Sequence, residues 1–321
     1  MSGSGLGSRI SVCLLAYNHV ELIESTLRSV LGQSLDGYEV IVSDDQSQDG
    51  TWERIQGIAR ADARVVPLRP PRNLGMAANA NFAVAHATRP YIALLHHDDI
   101  YRADLLEKWA GVLERNPDVL YVFNHYGRWG EQEMHTQPLG ERTDGRAFFE
   151  DYLLRTWGCA VHGTAMIRRS AWDRVGGMRE RFGMLADIDL WMRLARIGAV
   201  GYVPEPVIAI RHARPAYYPN IYKAEHWSWE RQRILYEIHA ANQQEDAGAG
   251  GLALRRRWWR FRWRLSRETL WWLAYALVKR RPDLIAASER GATPWDLPGV
   301  GLIRRALQIA LPLIGGSSAD A

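Results

Sequence analysis

Residues 91–104 read YIALLHHDDIYRAD: an apolar run, Tyr91–Leu95, ends abruptly in His96-His97-Asp98-Asp99, and a helical stretch, Ala103–Arg115, follows. A short continuous apolar run bounded by polar residues is the pattern of a strand buried on both faces. The alternation continues outward. Ile10–Ala16, Tyr38–Ser43, Val65–Leu68 and Val119–Phe123 are further strand-like runs, with amphipathic helical stretches at Glu21–Leu31, Thr51–Ala61 and Met76–Ala87. Strands separated by helix-length segments predict βαβ units, hence an α/β fold with a largely parallel sheet and helices on both faces. Ligands of such sheets bind beyond the carboxyl ends of the strands. Those ends are polar here: strand one runs into Tyr17-Asn18, strand two into Asp44-Asp45, and strand four into His96–Asp99.

Beyond this body the pattern loosens. Gly127–Gly145 reads as a turn-rich loop, followed by a helix around Arg146–Arg155, an apolar segment His162–Ile167, a helix from Ile188 to Ile197, strands Val200–Val203 and Val207–Arg211, and a long helix Pro219–Ala241. QQEDAGAGG, residues 243–251, is a linker by composition. Met1–Ser8 is Gly/Ser-rich and lacks the basic and apolar blocks of a signal peptide, so it reads as a frayed end. The expected division is residues 1–8 disordered, 9–242 the α/β body, 243–251 a linker and 252–321 a helical extension.

The chain of 321 residues is 47% hydrophobic and 24% charged, which excludes wholesale disorder and a coiled rod. Its two cysteines exclude a disulfide framework, and no apolar run approaches the roughly 20 residues that span a bilayer. The net charge of +4 hides an asymmetry. Residues 251–290 hold eleven Lys/Arg against Glu268, Asp283 and Glu289, a net of +8, leaving −4 for everything else. Five of the 14 tryptophans (Trp258, Trp259, Trp263, Trp271, Trp272) lie in the same stretch.

Acids are costly to bring together unless a cation joins them, so adjacent pairs at two strand ends suggest a divalent ion. The alternative is that Asp44, Asp45, Asp98 and Asp99 cap the helices that follow. Five segments then occur in order: ISVCLLAYN (Ile10–Asn18), EVIVSDDQSQDGT (Glu39–Thr51), NLGMAANAN (Asn73–Asn81), YIALLHHDDIYRAD (Tyr91–Asp104) and DIDLWMRL (Asp187–Leu194). Together they resemble the family 2 glycosyltransferases, inverting enzymes of the Rossmann-like, nucleotide-binding GT-A fold, over Arg9–His212.

The resemblance implies a metal-dependent, inverting transfer from a pyrimidine nucleotide sugar of UDP or dTDP type. Tyr17 and Asn18 would lie against the donor, Tyr17 at the base. Asp45 would accept a hydrogen bond from the ring N–H, as an acceptor-only carboxylate can. Asn73, with Gly75 and Asn81, would shape the donor turn. Asp98 matches the last acid of the Asp-x-Asp signature that binds Mn2+ or Mg2+ against the diphosphate, but His96 occupies the position of the first acid. Asp99 would brace the turn or the donor sugar. His212 matches a residue that closes over the pyrophosphate or joins the metal, and Arg211 would serve the diphosphate. Asp187 matches the general base that deprotonates the acceptor hydroxyl; its alternative role is the N-cap of the helix, with Asp189 and Arg193 a surface i,i+4 pair. His162 and Trp157 are candidates for the acceptor pocket. The Gln-x-x-Arg-Trp signature of processive members is absent after Asp187, favouring transfer of a single sugar. A sugar-nucleotide nucleotidyltransferase and a non-catalytic scaffold on a degenerate transferase domain are the alternatives.

Were Leu252–Lys279 one helix, Arg256, Arg257, Arg260, Arg264 and Arg267 would share a sector about 100° wide, and Leu254, Trp258, Phe261, Leu265 and Trp272 another. Arginine beside aromatic and apolar residues suits an anionic bilayer interface, and Val300–Ile314 has similar character. The expectation is an enzyme peripheral to the cytoplasmic face of the cell membrane, acting on a glycan or lipid-linked acceptor in cell-envelope polysaccharide synthesis. The competing expectation is that these helices pack on the body or on a second subunit, making an oligomer. Single-stranded nucleic acid is disfavoured by the acidic remainder.

Overall fold

The computed structural model describes residues 3–128, 134–135, 137–154, 159–211, 224–246, 252–288, 292, 296–297 and 299–314. The chain divides into two compact units, Met1–Pro215 and Ala216–Ala321. The first holds strands β1 (Ile10–Ala16), β2 (Glu39–Asp44), β3 (Val65–Leu68), β4 (Tyr91–His96), β5 (Ile100–Tyr101), β6 (Val119–Arg128), β7 (Met134–His135), β8 (Arg142–Thr143), β9 (Ala165–Arg168) and β10 (Ala199–Ile210). Its helices are α1 (Gly3–Gly7), α2 (Val20–Leu31), α3 (Thr51–Ala61), α4 (Met76–His86), α5 (Leu105–Arg115), α6 (Gly145–Phe148), α7 (Arg169–Val175) and α8 (Ala186–Ala195). The expected strands and helices from Ile10 to Arg115 are present to within a residue or two, while the strand expected at Val119–Phe123 runs on to Arg128. The N-terminal segment, expected to be disordered, instead forms α1, and Leu6 packs against the core.

One sheet carries the order β3-β2-β1-β4-β9-β6-β10-β5, with β7 on β6 and β8 on β10. From β3 to β4 it is parallel, as the βαβ pattern requires. Beyond β4 it is mixed, where a largely parallel sheet was expected, because β9 enters antiparallel to both β4 and β6. Among its described residues the segment after β6 carries α6 and a π-helical turn, Phe149–Leu153, and no full crossover helix. The chain therefore starts β9 from the edge where β6 and β4 finish. The expected Gly127–Gly145 loop contains the end of β6 and the short strands β7 and β8, and the two strands expected between Val200 and Arg211 are one strand, β10, bent by bulges. Ile10, Val12, Leu14, Val40, Ala93, Leu105, Leu106 and Trp109 are all fully buried between sheet and helices, each large apolar side chain stabilising the fold by about 1.5–3 kcal/mol.

The second unit holds α9 (Ala224–Asp246), α10 (Leu252–Val278), α11 (Pro282–Ala287) and α12 (Val300–Ile314). The expected boundary at residue 242 is thus displaced: α9 runs into the expected linker and groups with the extension, and the rest of that linker lies outside the described residues. Leu273, Ala276, Leu284 and Ile285 form this unit's core, with Trp272, Tyr275 and Leu307 against it. Of the apolar sector expected to meet lipid, Phe261 and Leu265 are buried and Trp258 and Trp272 half-buried. The exposed side of α10 is a different one, where Trp259, Trp263 and Trp271 are 53%, 63% and 59% accessible. Arg256, Arg260 and Arg267 are exposed with them. No helix among the described residues is long and apolar enough to cross a membrane.

Candidate functional site

The sheet register gathers the expected residues. β1 lies between β2 and β4, pairing Ala16 with Asp44 and Leu15 with His96, so the three polar strand ends are neighbours at one carboxyl edge. Tyr17, 43% accessible, stands exposed there. Asn18 takes the left-handed conformation (φ 49°), which Asn tolerates. Its N–H donates to Ser47 Oγ at 2.8 Å and its Oδ1 accepts from Gln48 N at 2.8 Å, stitching the first loop to the second.

The acids of the second loop are occupied. Asp44 is fully buried, accepts from the Ser47 hydroxyl and pairs with Arg69 at 3.3 Å. Asp45 is buried and clamps the following turn: Oδ1 accepts from Leu74 N at 2.7 Å and Oδ2 from Gly75 N at 2.8 Å. Asn73 Nδ2 donates to the Asp45 carbonyl at 2.8 Å, and Gly75 supplies the positive φ of 81° that the turn needs. Burial pushes the Asp45 carboxyl up, against the two amides that favour its charge. Each oxygen retains acceptor capacity.

The fourth strand end carries the densest chemistry. Tyr101 clamps His96, accepting from its N–H at 2.8 Å and donating to its carbonyl at 2.7 Å. His97 donates from Nδ1 to Leu15 O at 2.6 Å, which leaves Nε2 to accept from His19 Nδ1. Burial pushes His97 down to about 4. Burial would raise Asp98, but the imidazoles of His97, His96 and His19 outweigh it and hold the carboxyl below its ordinary value. Asp99 is 1% accessible and differs in kind. Its Oδ1 has a long contact from Arg211 N, 3.4 Å, and its buried Oδ2 has no hydrogen-bond partner among the described residues. Burial and the adjacent Asp98 push it up to about 7.

The direction of β9 completes the site. Leu94 pairs with Ala165, so the residues entering β9 run beside the end of β4. His162 comes to 6.0 Å from His96 between ring centroids and packs on Tyr126 at 4.7 Å. Ligand atoms of His96, Asp99 and His162 lie within 4.8 Å of one another. Asp98, the acid expected to hold the metal, is not among these convergent donors. His212, expected beside it, lies outside the described residues, as does Trp157. Gly163 has φ 68°, and a Cβ there would meet His96 Cε1 at 2.6 Å and Asp187 Oδ2 at 3.3 Å. The Asp187 carboxylate therefore stands across one glycine from His96. A buried orphan carboxylate oxygen facing two imidazoles fits a divalent cation.

Asp187 lies in the first turn of α8 rather than at its N-cap. Burial pushes its carboxyl up to about 6, against the His96 imidazole and the backbone amides of Ile188 and Asp187. Such a value suits a group that takes a proton near neutral pH. Asp189, expected as half of a surface pair, is fully buried. It pairs with Arg193 at 2.8 Å and Arg179 at 3.5 Å, and Arg193 donates on to the carbonyls of Val175 and Gly177. Arg211, expected at the diphosphate, points its guanidinium into structure: Nε donates to Asp98 O at 2.6 Å, Nη1 to Ser25 Oγ at 2.6 Å and Nη2 to Thr26 Oγ1 at 2.6 Å. Asn81 pins the Met178 backbone with paired 2.9 Å bonds.

The sequence reading left unassigned the His19–His97 pair and underused Asp99. The signal was the doubled His96-His97 beside a doubled acid.

The profile of Glycosyl transferase family 2 matches residues 11–176. The chain is 30% identical over 222 residues to the putative glycosyltransferase EpsE of Bacillus subtilis, covering 66% of this chain and 76% of that protein. Over 117 residues, 36% of this chain and 45% of the other, it is 30% identical to UDP-Glc:alpha-D-GlcNAc-diphosphoundecaprenol beta-1,3-glucosyltransferase WfgD of Escherichia coli. Among solved structures it is similar to S. aureus TarS 1–349 in complex with UDP-GlcNAc (TM-score 0.57, 15% identity, 95% of this chain and 92% of that one). It is also similar to the mannosyltransferase PcManGT from Pyrobaculum calidifontis in complex with GDP-Man and Mn2+ (TM-score 0.52, 18% identity, 94% and 87%).

Proposed function

This chain belongs to glycosyl transferase family 2 and is a glycosyltransferase, and on that premise we propose that it moves one sugar, with inversion, from a UDP- or dTDP-linked donor to a hydroxyl of a lipid diphosphate-linked glycan in cell-envelope polysaccharide synthesis. The observation that carries the mechanism is Asp187 Oδ2 facing His96 across Gly163, a base beside a set of cation donors. The name of the related WfgD, with a UDP-Glc donor and a diphosphoundecaprenol acceptor, supports the choice of substrates.

In this mechanism Asp187 accepts the proton of the acceptor hydroxyl as its oxygen bonds to the anomeric carbon. The anomeric C–O bond to the diphosphate breaks on the opposite face, and the electron pair leaves with the nucleoside diphosphate. When bound, a divalent cation, Mn2+ or Mg2+ in this reading, would supply positive charge against the leaving diphosphate. His96, Asp99 and His162 would hold it, with Asp98 and His212 as the further candidates. Tyr17 stacks on the base, Asp45 offers an acceptor lone pair to the pyrimidine N–H, and Asn18 and Asn73 hold the two loops that carry them. Arg211 acts through the Asp98–Asp99 backbone, bracing the diphosphate site from behind.

The Trp259/Trp263/Trp271 side of α10, with Arg256, Arg260 and Arg267 beside it, docks the enzyme on anionic headgroups at the cytoplasmic face of the membrane, where such an acceptor is presented. Flotation with vesicles, with and without anionic lipid, tests this; a stable dimer that ignores vesicles would assign the surface to a second subunit instead. The catalytic reading is tested by donor hydrolysis and transfer to a lipid-linked acceptor. UDP-sugar binding without any turnover of wild type on any acceptor would overturn it.

A further inference from the structure

We propose that the cation site of this chain is built on His96, Asp99 and His162, and that this set of two imidazoles and one carboxylate selects a first-row transition ion over Mg2+. Three independent features converge. The three ligand atoms lie within 4.8 Å of one another. Asp99 is 1% accessible, yet among the described residues its Oδ2 has no hydrogen-bond donor, and it lies 3.8 Å from His96 Nδ1. A buried carboxylate oxygen without a donor is unfavourable unless a positive charge meets it. Finally, Gly163 leaves open the space between His96 and Asp187 that any side chain would fill, its φ of 68° letting the chain turn His162 back toward His96.

The donor chemistry sets the preference. Mg2+ takes oxygen ligands and keeps much of its water, whereas imidazole binds increasingly well along the series from Mn2+ through Co2+ to Cu2+. The acid expected to coordinate, Asp98, is not among these convergent donors. His96, standing where an acid was expected, makes the site nitrogen-rich rather than disabling it. The inference rests on the proposed transfer reaction only in placing the cation beside a diphosphate; the donor set is independent of the reaction.

The test uses the full-length, metal-free protein without nucleotide. Titration calorimetry with Co2+ and with Mg2+ should show Co2+ binding at least about tenfold more tightly. Electron spin-echo envelope modulation of the Mn2+-loaded protein should show directly coordinated nitrogen. His162→Gln and Asp99→Asn should each weaken Co2+ binding about tenfold or more, and His162→Gln should also reduce the nitrogen coupling. Asp98→Asn should keep both nitrogens. Near-UV circular dichroism confirms folding of each variant, with His162→Asn as a second substitution should His162→Gln misfold. Mn2+ without nitrogen coupling, equal affinity for Mg2+, or a bound ion lost in Asp98→Asn and kept in His162→Gln would each overturn the assignment. Donor hydrolysis by the same preparation separates the two readings: turnover without nitrogen coupling sinks the site alone, and nitrogen coupling without nucleotide-sugar turnover sinks the reaction alone.

Discussion

Asp187 and Asp189 lie two residues apart on α8 and are built for opposite ends. Asp189 is fully buried and held by Arg193 and Arg179, with Arg193 spreading its remaining donors over the carbonyls of Val175 and Gly177. Asp187 has no arginine partner among the described residues; it faces the His96 imidazole, the first amides of its own helix and the Trp191 side chain, and burial drives its carboxyl up to about 6. The two faces of one helix turn thus separate a carboxylate spent on the fold from one kept reactive. Asp99 belongs with Asp187 in this respect: a buried acid that the polypeptide leaves short of partners is the better candidate for chemistry.

Replacing each acid by its amide should break the comparison cleanly if it is right. Asp187→Asn should lower transfer by about 10²–10⁴-fold, the range of a general base, while leaving UDP binding intact and the thermal midpoint no lower than that of wild type. A variant with near-normal turnover would remove Asp187 from the mechanism. Asp189→Asn should instead destabilise the fold by about 3–5 kcal/mol, because it leaves Arg193 buried with its charge uncompensated. Denaturant unfolding reads this directly, and turnover per folded molecule should stay near wild type. Equal losses of stability in both variants would show that the two faces are not distinct.

The pH dependence sharpens the same contrast. Asp187 must be ionised to accept a proton, so kcat/KM should fall as pH drops through about 6. The stability sign is opposite. A carboxyl whose folded value is raised contributes stability below its unfolded value and loses it as pH rises through the folded one. Wild type should therefore lose stability relative to Asp187→Asn as pH climbs from 3.8 to about 6, and the difference should stay level above that. Chemical denaturation of both proteins at pH 5 and pH 8 checks it; no change in their difference would show that Asp187 is not strained by ionisation.

How much of this was legible in the sequence follows from the range of the interactions. The strands from Ile10 to Leu95 and their helices declare themselves through local apolar runs, and a parallel βαβ arrangement then forces Tyr17, Asp44-Asp45 and His96–Asp99 onto one edge. The place of His162 is not local. It depends on β9 running against β4, a pairing set by chain more than 30 residues away from His96. Nor does the i,i+4 spacing of Asp189 and Arg193 say whether the pair faces water or core; Gly176 and Gly177, whose carbonyl neighbourhood swallows the guanidinium, settle that. Arg211 was legible by position and misleading by chemistry, since a strand-end arginine reads the same whether it meets a phosphate or the Ser25 and Thr26 hydroxyls.

The extension repeats the lesson at lower energy. Helical arithmetic correctly divides α10 into sectors, but Trp and Leu appear in more than one of them, so composition alone cannot tell the covered side from the bare one. Phe261 and Leu265 are covered, while Trp259, Trp263 and Trp271 stand exposed among arginines. Phe261→Ala should cost about 3–5 kcal/mol of stability as a core truncation. Trp259→Ala with Trp263→Ala should change stability by less than about 1 kcal/mol. The double variant should nevertheless reduce binding to anionic vesicles several-fold, and the wild-type binding should weaken with added salt as screened headgroup attraction does. Vesicle binding that survives the double substitution and high salt alike would mean that this face of α10 is not the docking surface.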